Sequence, residues 1–191
     1  MREFLSNLLF GGSCFLCRGA ARGILCPACD ADLPRLAGTL WRRCGRCLAD
    51  APRYDATVAA LGHRFPADTP VHALKFRSRL ALAALLGDLL LKCIPAGGRV
   101  DCVLPVPLSR ERLRERGYNQ AAEIARHVAK ERRARLDSTG AARERNTLAQ
   151  AGLPWSDRAR SVRGAFRCER SLDGAARVVN WVVARTFPPD A

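Results

Sequence analysis

The amino-acid sequence predicts an α/β fold with a largely parallel sheet and a small cysteine-rich segment at its N-terminal end. The first observation is an alternation of strand and helix patterns along the body of the chain, which is typical of parallel sheets. The second is a series of three CxxC pairs between residues 14 and 47. The third is a hydrophobic content of 48%, which is sufficient for a packed core.

The charged residues are strongly biased, since 32 Lys and Arg residues stand against 18 Asp and Glu residues in 191, a formal net charge of +14. This surplus favours polyanionic partners, namely nucleic acid, phosphorylated metabolites or acidic membrane surfaces. The alternative is a generally cationic surface without a specific partner, because charge alone carries little specificity. No apolar run reaches the ~20 residues of a membrane-spanning helix, and no cleavable signal is evident. We therefore expect a soluble, cytoplasmic protein with no membrane span.

Six of the nine cysteines form the CxxC pairs. They are Cys14, Cys17, Cys26, Cys29, Cys44 and Cys47. Two intervening residues let both thiolates of a pair bind one metal ion, and two pairs complete a tetrahedral site. A structural Zn²⁺ is favoured over disulfides and over redox chemistry, because a reduced compartment is expected and redox CxxC motifs usually occur once. The third pair leaves two alternatives open: it joins one of the earlier pairs, or it belongs to a second site that has lost two ligands.

The body of the chain alternates between strand and helix patterns. The sequence predicts a strand within residues 53–63, a helix over 70–92 and a short buried strand within 99–109. It then predicts an amphipathic helix over 121–133 and a buried final strand, VVNWVV, over 178–183.

The stretch RERLRERGYNQ, residues 110–120, is predicted to be a loop at the carboxyl end of a strand, where open sheets bind ligands. Its arginines attract anions, its glycine permits a tight turn, and its asparagine can cap the next helix, whose amides face an anion. The predicted phosphate-binding or anion-binding residues are Arg110, Arg112, Arg114, Arg116, Gly117, Asn119 and Gln120. The alternative is a solvated loop in which Glu111 and Glu115 pair with the arginines.

Basic residues interleaved with aromatic residues can hold single-stranded nucleic acid by charge and stacking. Such a pattern occurs over residues 143–166, which include Trp155 and Phe166. The weaker nucleic-acid-binding candidates are Lys75, Arg77 and Trp155. The alternative for the region 143–166 is an arm whose aromatic side chains pack into the core.

Five segments in the same order together resemble the ComF family, whose members are similar to phosphoribosyltransferases and are associated with DNA uptake and competence. Besides the CxxC pairs, the matching segments are VHALKFRSRLALAALLG, VLPVPLSRERLRERGYNQAAEIA, RERNTLAQAGLPWSDRARSVRGAF and VVNWVVART. Each segment alone is modest support, but the combination is specific and covers nearly the whole chain.

The resemblance implies a double zinc ribbon at residues 1–50 and a phosphoribosyltransferase-like domain at residues 51–191. It implies binding of phosphoribosyl pyrophosphate with Mg²⁺ through a buried strand, two adjacent acids and a Thr-Thr-Gly loop. Acids and metal stabilise the positive charge that develops on the ribose as pyrophosphate leaves. The partners it implies are single-stranded DNA, a phosphorylated sugar ligand and the competence helicase machinery.

This sequence departs from the family pattern before its last strand. The family places the strand, the acids and the loop between GAF and the final strand, where this chain has only RCERSLDGAAR. A strand, a loop and a crossover helix of about 25 residues are therefore missing from the phosphoribosyltransferase-like parallel sheet. No Asp-Asp pair occurs, and the look-alike DSTG at 137–140 has one acid and follows a charged helix end. We therefore expect impaired transferase activity without identifiable catalytic residues; the alternative is a non-enzymatic, single-stranded-DNA-binding factor.

Overall fold

The structure is a computed structural model that describes residues 12–36, 40–41, 54–95, 99–147, 150–169 and 175–186. Its helices are α1 (Pro27–Ala31), α2 (Asp68–Phe76), α3 (Leu82–Leu91), α4 (Arg110–Arg116), α5 (Gln120–Arg132) and α6 (Trp155–Val162). Its strands are β1 (Leu40–Trp41), β2 (Ala56–Gly62), β3 (Cys102–Val103), β4 (Arg135–Leu136), β5 (Ala141–Arg143), β6 (Phe166–Cys168) and β7 (Val179–Arg185). Within these ranges, no helix has the length and apolar character needed to cross a membrane.

The strands form three small sheets. The first has the order β1-β2-β7, with β1 antiparallel and β7 parallel to β2. The second pairs β3 with β4 in parallel, and the third pairs β5 with β6 in antiparallel orientation. The predicted α/β class is therefore confirmed, but its parallel pairs lie in small sheets beside antiparallel ones and not in one largely parallel sheet.

The described residues fall into two compact units. The first is drawn from residues 1–96 and 177–187, and the second from residues 97–176 and 188–191. Along the chain, the second unit is thus inserted between α3 and β7. The predicted boundary between residues 50 and 51 lies outside the described residues and stays a prediction.

Strand β2 is the centre of the core of the first unit, because six of its seven residues are buried. Helix α3 packs against β2 and β7. It buries Leu82, Leu86 and Leu89, which recur at helical spacing on one face. Full burial of a leucine side chain stabilises the folded state by roughly 1.5–3 kcal/mol. This face of α3 therefore contributes substantially to the free energy of folding of the first unit.

The segment 70–92, predicted as one helix, forms the two helices α2 and α3, so that prediction is wrong. Helix α2 ends at Phe76, and Ser78 has a φ angle of 50°, in the left-handed region. A residue in that region interrupts the helical hydrogen-bond ladder, and α3 begins only at Leu82. The break leaves the last turn of α2 exposed.

The predicted final strand is present as β7, but it is half-buried along its whole length instead of fully buried. It lies directly beside β2, and β2 is its one strand partner among the described residues. Parallel strands need a long crossover connection. The connection from β2 to β7 contains α2, α3 and the second unit. It is therefore long enough for a parallel crossover, although the stretch directly before β7 is short and polar.

Asp55 fixes the start of β7 against the start of β2. Its backbone N–H donates to the Val178 carbonyl at 2.8 Å, and the Val178 N–H donates to the Asp55 carboxylate at 2.6 Å. The register then runs from Ala56 opposite Val179 to Gly62 opposite Arg185. The carboxyl ends of both strands therefore lie at the same edge of the sheet.

In the second unit, β3 has only two residues although a longer strand is predicted within 99–109. Pro105 and Pro107 follow it, and proline has no N–H to donate to a sheet. The chain then forms α4 and α5 and returns as β4 in parallel with β3. The DSTG turn at 137–140 therefore follows a short strand, and not the charged helix end that the sequence predicts.

The stretch RERLRERGYNQ is not a loop, because most of it forms α4. The Ser109 side chain accepts from the Arg112 N–H at the start of α4, and Gly117 ends the helix with a φ angle of 75°. Asn119 caps α5 as predicted, since its side chain accepts from the Ala121 N–H at 3.0 Å.

We expect the Asp55→Ala substitution to lower the free energy of unfolding by about 1 kcal/mol, because the Val178 N–H loses a charged acceptor. Asp55→Asn is the matched control, since its amide oxygen can still accept, and it should cost less than half as much. The midpoint of urea unfolding measures both. Equal midpoints for the wild type and Asp55→Ala would contradict the described start of β7.

Candidate functional site

The first two CxxC pairs come together in the structure. The Sγ atoms of Cys14, Cys17, Cys26 and Cys29 all lie within 4.8 Å of one another, and those of Cys17 and Cys26 are 3.7 Å apart. In a tetrahedral site with Zn–S bonds of ~2.3 Å, neighbouring sulfurs lie about 3.8 Å apart. The four thiols therefore fit a tetrahedral zinc site such as that of a zinc ribbon.

The first pair lies in a tight turn held by the backbone. The Cys14 N–H donates to the Gly19 carbonyl at 2.7 Å, and the Arg18 N–H donates to the Cys14 carbonyl at 3.0 Å. The Gly19 N–H also lies 3.4 Å from the Cys17 sulfur, as a weak donor to it. Cys14 itself is fully buried. The turn thus directs both sulfurs to one point.

The second pair lies at the start of α1. The Cys26 sulfur caps this helix by accepting from the Cys29 N–H at 3.5 Å, and Pro27 occupies the first turn, where its missing N–H is not needed. An ion pair of 2.6 Å between Asp30 and Arg35 follows the helix. A helical first turn with a sulfur cap brings the two sulfurs of the pair onto one side.

The thiol pKa values differ widely within the cluster. Burial raises the pKa of Cys14, but hydrogen bonds from the backbone of Cys17, Cys26 and Leu16 outweigh it and lower the pKa to about 6. The pKa of Cys29 is raised to about 12, first by its hydrogen bond with the Cys26 thiol and then by burial. A metal cation held by the four sulfurs would compensate the negative charge that they carry as thiolates.

The cluster is attached to the three-stranded sheet by the chain that follows it. The Gly62 N–H donates to the Pro34 carbonyl at 2.8 Å, and the Leu36 N–H donates to the Ala60 carbonyl at 3.0 Å. Leu33 is buried beside this connection. The third pair, Cys44 and Cys47, lies outside the described residues. The first two pairs nevertheless provide the four ligands that a tetrahedral site needs.

The predicted anion-binding residues take different positions. Arg110 and Arg114 are exposed on α4, whereas Arg112 is half-buried and donates from Nη2 to the Thr147 carbonyl at 2.6 Å. Arg116 is half-buried at the end of α4, next to Gly117. The seven residues therefore do not all face one point, and their role stays a prediction.

The last two of these residues lie at the start of α5, and Asn119 holds this end of the helix in place. The Asn119 side-chain amide donates to the Val106 carbonyl at 3.0 Å in addition to capping the helix. Gln120 is 7% exposed, and its Nε2 atom has no hydrogen-bond partner among the described residues. Both the amide and the oxygen of the Asn119 side chain are thus engaged in hydrogen bonds within the protein.

Lys75 and Arg77, two of the predicted nucleic-acid-binding residues, are exposed at the end of α2. Between them is Phe76, which is 60% exposed, and the His72 ring lies 4.6 Å from its ring, centroid to centroid, at an interplanar angle of 46°. The sequence analysis missed Phe76 and His72, although the triplet Lys-Phe-Arg was a visible signal. We call these residues, His72 and Lys75–Arg77, the α2 aromatic surface.

Trp155, the third candidate, begins α6, but its side chain lies outside what the structure describes. The alternative interpretation of residues 143–166 predicts that Phe166 packs into the core. Phe166 is 39% exposed on β6, and the Arg143 guanidinium carbon lies 5.3 Å from its ring centroid. That alternative is wrong for Phe166.

Comparison with curated proteins reveals relatives over most of the chain. The DNA utilization protein YhgH of Escherichia coli O6:H1 (strain CFT073) is 32% identical over 176 residues, which cover 88% of this chain and 76% of that protein. The protein of the same name from Salmonella typhi is 34% identical with the same coverage. Competence protein F of Haemophilus influenzae is 27% identical over 162 residues, covering 79% and 69%. No family model matches the chain, and no solved structure matches it.

We expect the purified chain to hold about one zinc ion, bound by the first two CxxC pairs. The double substitution Cys26→Ser/Cys29→Ser should abolish zinc binding, because it removes half of the ligand set. The matched control is Cys44→Ser/Cys47→Ser, which should retain the ion. Metal content measured by inductively coupled plasma mass spectrometry decides between them. Loss of zinc in the control would show that the third pair shares the site.

Proposed function

The chain belongs to the ComF family, the family of the DNA utilization protein YhgH and competence protein F, and we propose that it acts in DNA utilization by binding single-stranded DNA. The observation that carries this proposal is the α2 aromatic surface, in which an exposed phenyl ring lies between two exposed cations. Stacking of bases on aromatic side chains beside a basic backbone track is the common mode of single-strand binding.

The arrangement of the α2 aromatic surface suits a base better than an apolar partner. His72 and Phe76 are four residues apart, so their rings share one face of α2. An isolated exposed phenylalanine is ordinary on a protein surface. Here, however, the exposed residues Arg77 and Arg79 continue from the ring as cations, and an apolar docking surface would be depleted of such charges at its centre.

The net charge of +14 supports the same proposal, because it attracts a polyanion over a long range at low salt. Binding that rests on phosphate contacts weakens as salt increases, since counterions must be displaced again. The proposal therefore has two separable parts: stacking on Phe76, which depends little on salt, and phosphate contact by the cations, which depends strongly on it.

We propose that Zn²⁺ is the metal of the four-cysteine cluster and that its role is structural. Cys14, Cys17, Cys26 and Cys29 fill all four positions of a tetrahedral site, so no position is open for a substrate or for water. When bound, the ion supplies charge compensation and a covalent link across the two turns. The chain's own residues then hold the N-terminal segment against β2 through Pro34 and Leu36.

We also propose that phosphoribosyl transfer is impaired in this chain. The residues directly after β2 and β7 are His63, Arg64 and Thr186, none of which is an acid. Asp137 does follow β4, but its carboxylate accepts from the N–H and the hydroxyl of Thr139 at 3.2 and 3.3 Å. Mg²⁺ prefers carboxylate oxygens as ligands. The residues directly after β2 and β7 offer none, and the Asp137 carboxylate after β4 already accepts hydrogen bonds. The YhgH protein of Escherichia coli O6:H1 is also longer than this chain, because the matched residues cover 88% of this chain but 76% of that protein.

The Phe76→Ala substitution should weaken binding of a fluorescein-labelled oligodeoxythymidine about tenfold, because one stacked base loses its platform. Fluorescence anisotropy at fixed ionic strength measures the dissociation constant. Phe76→Leu, which keeps apolar bulk but has no aromatic face, should lose nearly as much. Full binding by both variants would contradict the proposed role of the ring.

Lys75→Ala and Arg77→Ala should each reduce the slope of log affinity against log salt by roughly 0.7, the value for one phosphate contact with a single strand. Lys130→Ala is the control, because this exposed lysine on α5 lies in the second unit. It should leave the slope unchanged. A slope that responds equally to all three substitutions would mean that only overall charge matters and would contradict a defined surface.

A further inference from the structure

Two arginine side chains in the second unit share one neutral residue. Arg112 donates from Nη2 to the Thr147 carbonyl at 2.6 Å, and Arg143 donates from Nη2 to the Thr147 hydroxyl at 2.5 Å. All three residues are half-buried. Neither guanidinium forms an ion pair with an acid among the described residues, which is unusual for two like charges that converge on the same group.

The Arg143 guanidinium is held in place by more than Thr147. Its Nε donates to the Arg145 carbonyl at 3.3 Å, and its central carbon lies 5.3 Å from the centroid of the Phe166 ring. Arg143 and Phe166 are direct partners in the β5–β6 ladder, so the strand register fixes this cation–π contact. The guanidinium is therefore preorganised.

Thr147 is held as well. Ser109, which is 2% exposed and caps α4, donates from its hydroxyl to the Asn146 side-chain oxygen at 3.0 Å. This bond joins the segment before Thr147 to the start of the helix that carries Arg112. The two guanidiniums and the threonine consequently form one hydrogen-bonded cluster, which we call the Arg112–Arg143 pair.

The nearby acid is engaged elsewhere. Glu144 follows Arg143 in the chain, yet its carboxylate pairs with Arg167 at 3.0 Å, and Arg167 also pairs with Glu169 at 2.8 Å. Burial lowers the pKa of Arg143, and the positive charge of Arg112 lowers it further. Among the described residues, the two cations thus donate hydrogen bonds to neutral oxygens and to no carboxylate.

We propose that the Arg112–Arg143 pair is a binding site for a phosphate group. A guanidinium presents its N–H donors in a planar fork that matches phosphate oxygens. Three N–H groups of the pair donate within the protein, and Nη1 of each arginine has no partner among the described residues. A phosphate carries up to two negative charges and balances both cations, whereas a carboxylate balances one. The phosphate belongs either to a free phosphorylated compound or to a nucleic-acid backbone.

The test uses inorganic pyrophosphate and the full chain. Pyrophosphate should bind the wild type in isothermal titration calorimetry and raise its melting temperature more than chloride at equal ionic strength. Arg112→Gln and Arg143→Gln should each weaken this binding about tenfold, because each removes a charged donor pair. Arg126→Gln is the matched control: it removes an arginine of the same unit that is paired with Glu123, and it should change the affinity little.

The proposal is overturned if pyrophosphate has no effect beyond that of chloride, or if Arg126→Gln weakens binding as much as the other two substitutions. If Arg143→Gln does not fold, Arg143→Lys is the substitute variant. It retains the charge but lacks the fork, so it should still weaken pyrophosphate binding. Unchanged binding by the lysine variant also overturns the proposal.

A parallel titration with oligodeoxythymidine distinguishes the two sources of phosphate. Loss of pyrophosphate binding with normal DNA binding supports a free phosphorylated ligand, and equal loss of both supports the DNA backbone. The site is independent of the α2 aromatic surface, which lies in the other unit. Phe76→Ala should therefore leave pyrophosphate binding unchanged, so failure of either proposal is recognisable separately.

Discussion

The parallel pairing of β7 with β2 is the constraint on which the rest of the first unit depends. It returns the chain from the second unit to the sheet, provides part of the surface on which α3 packs, and fixes which residues lie at the carboxyl edge. Because β7 takes the place directly beside β2, that edge is followed by His63, Arg64 and Thr186 and not by acids. The residues that directly follow β2 and β7 are therefore basic or neutral. Such residues favour phosphate groups over the metal-bound sugar phosphates that the family resemblance implies.

The arginines of this chain fall into two groups with different physical roles, and the net charge alone does not distinguish the two groups. Some are bound by the fold: Arg112 and Arg143 both donate to Thr147, and Arg35 pairs with Asp30 after the cysteine cluster. Others, such as Arg77 at the end of α2, project into solvent. The first group is held in fixed positions by hydrogen bonds or ion pairs, whereas the second is available for salt-dependent contact with a polyanion. The cysteine cluster contributes differently, because its four sulfurs could hold one metal ion, while the backbone of Pro34 and Leu36 attaches the N-terminal segment to β2.

Local patterns in the sequence predict those parts of the molecule that depend on neighbouring residues. The CxxC spacing predicts the cluster, the apolar strand pattern predicts β2, and Asn119 before an amphipathic stretch predicts the start of α5. Parts that depend on distant residues are not predicted. Ser78 breaks a helix that periodicity alone would continue, and the partner of β7 lies more than a hundred residues away.

The helix α4 was misread as a loop because arginine density suggested a binding loop, although Ser109 and Gly117 are ordinary start and stop signals. The flanking cations Lys75 and Arg77 are a local signal that Phe76 is exposed, although the end of α2 at Phe76 is not visible in the apolar periodicity.

We propose that this chain binds phosphate through cations, since its described residues do not bring together the paired acids that a metal-bound sugar phosphate needs. Isothermal titration of the full chain with phosphoribosyl pyrophosphate, once with Mg²⁺ and once with a chelator, tests it most directly. The account predicts that Mg²⁺ does not strengthen binding, because the edges after β2, β7 and β4 offer it at most the one carboxylate of Asp137. Binding that requires Mg²⁺ would contradict the account, since it would require an acidic site that the described residues do not form.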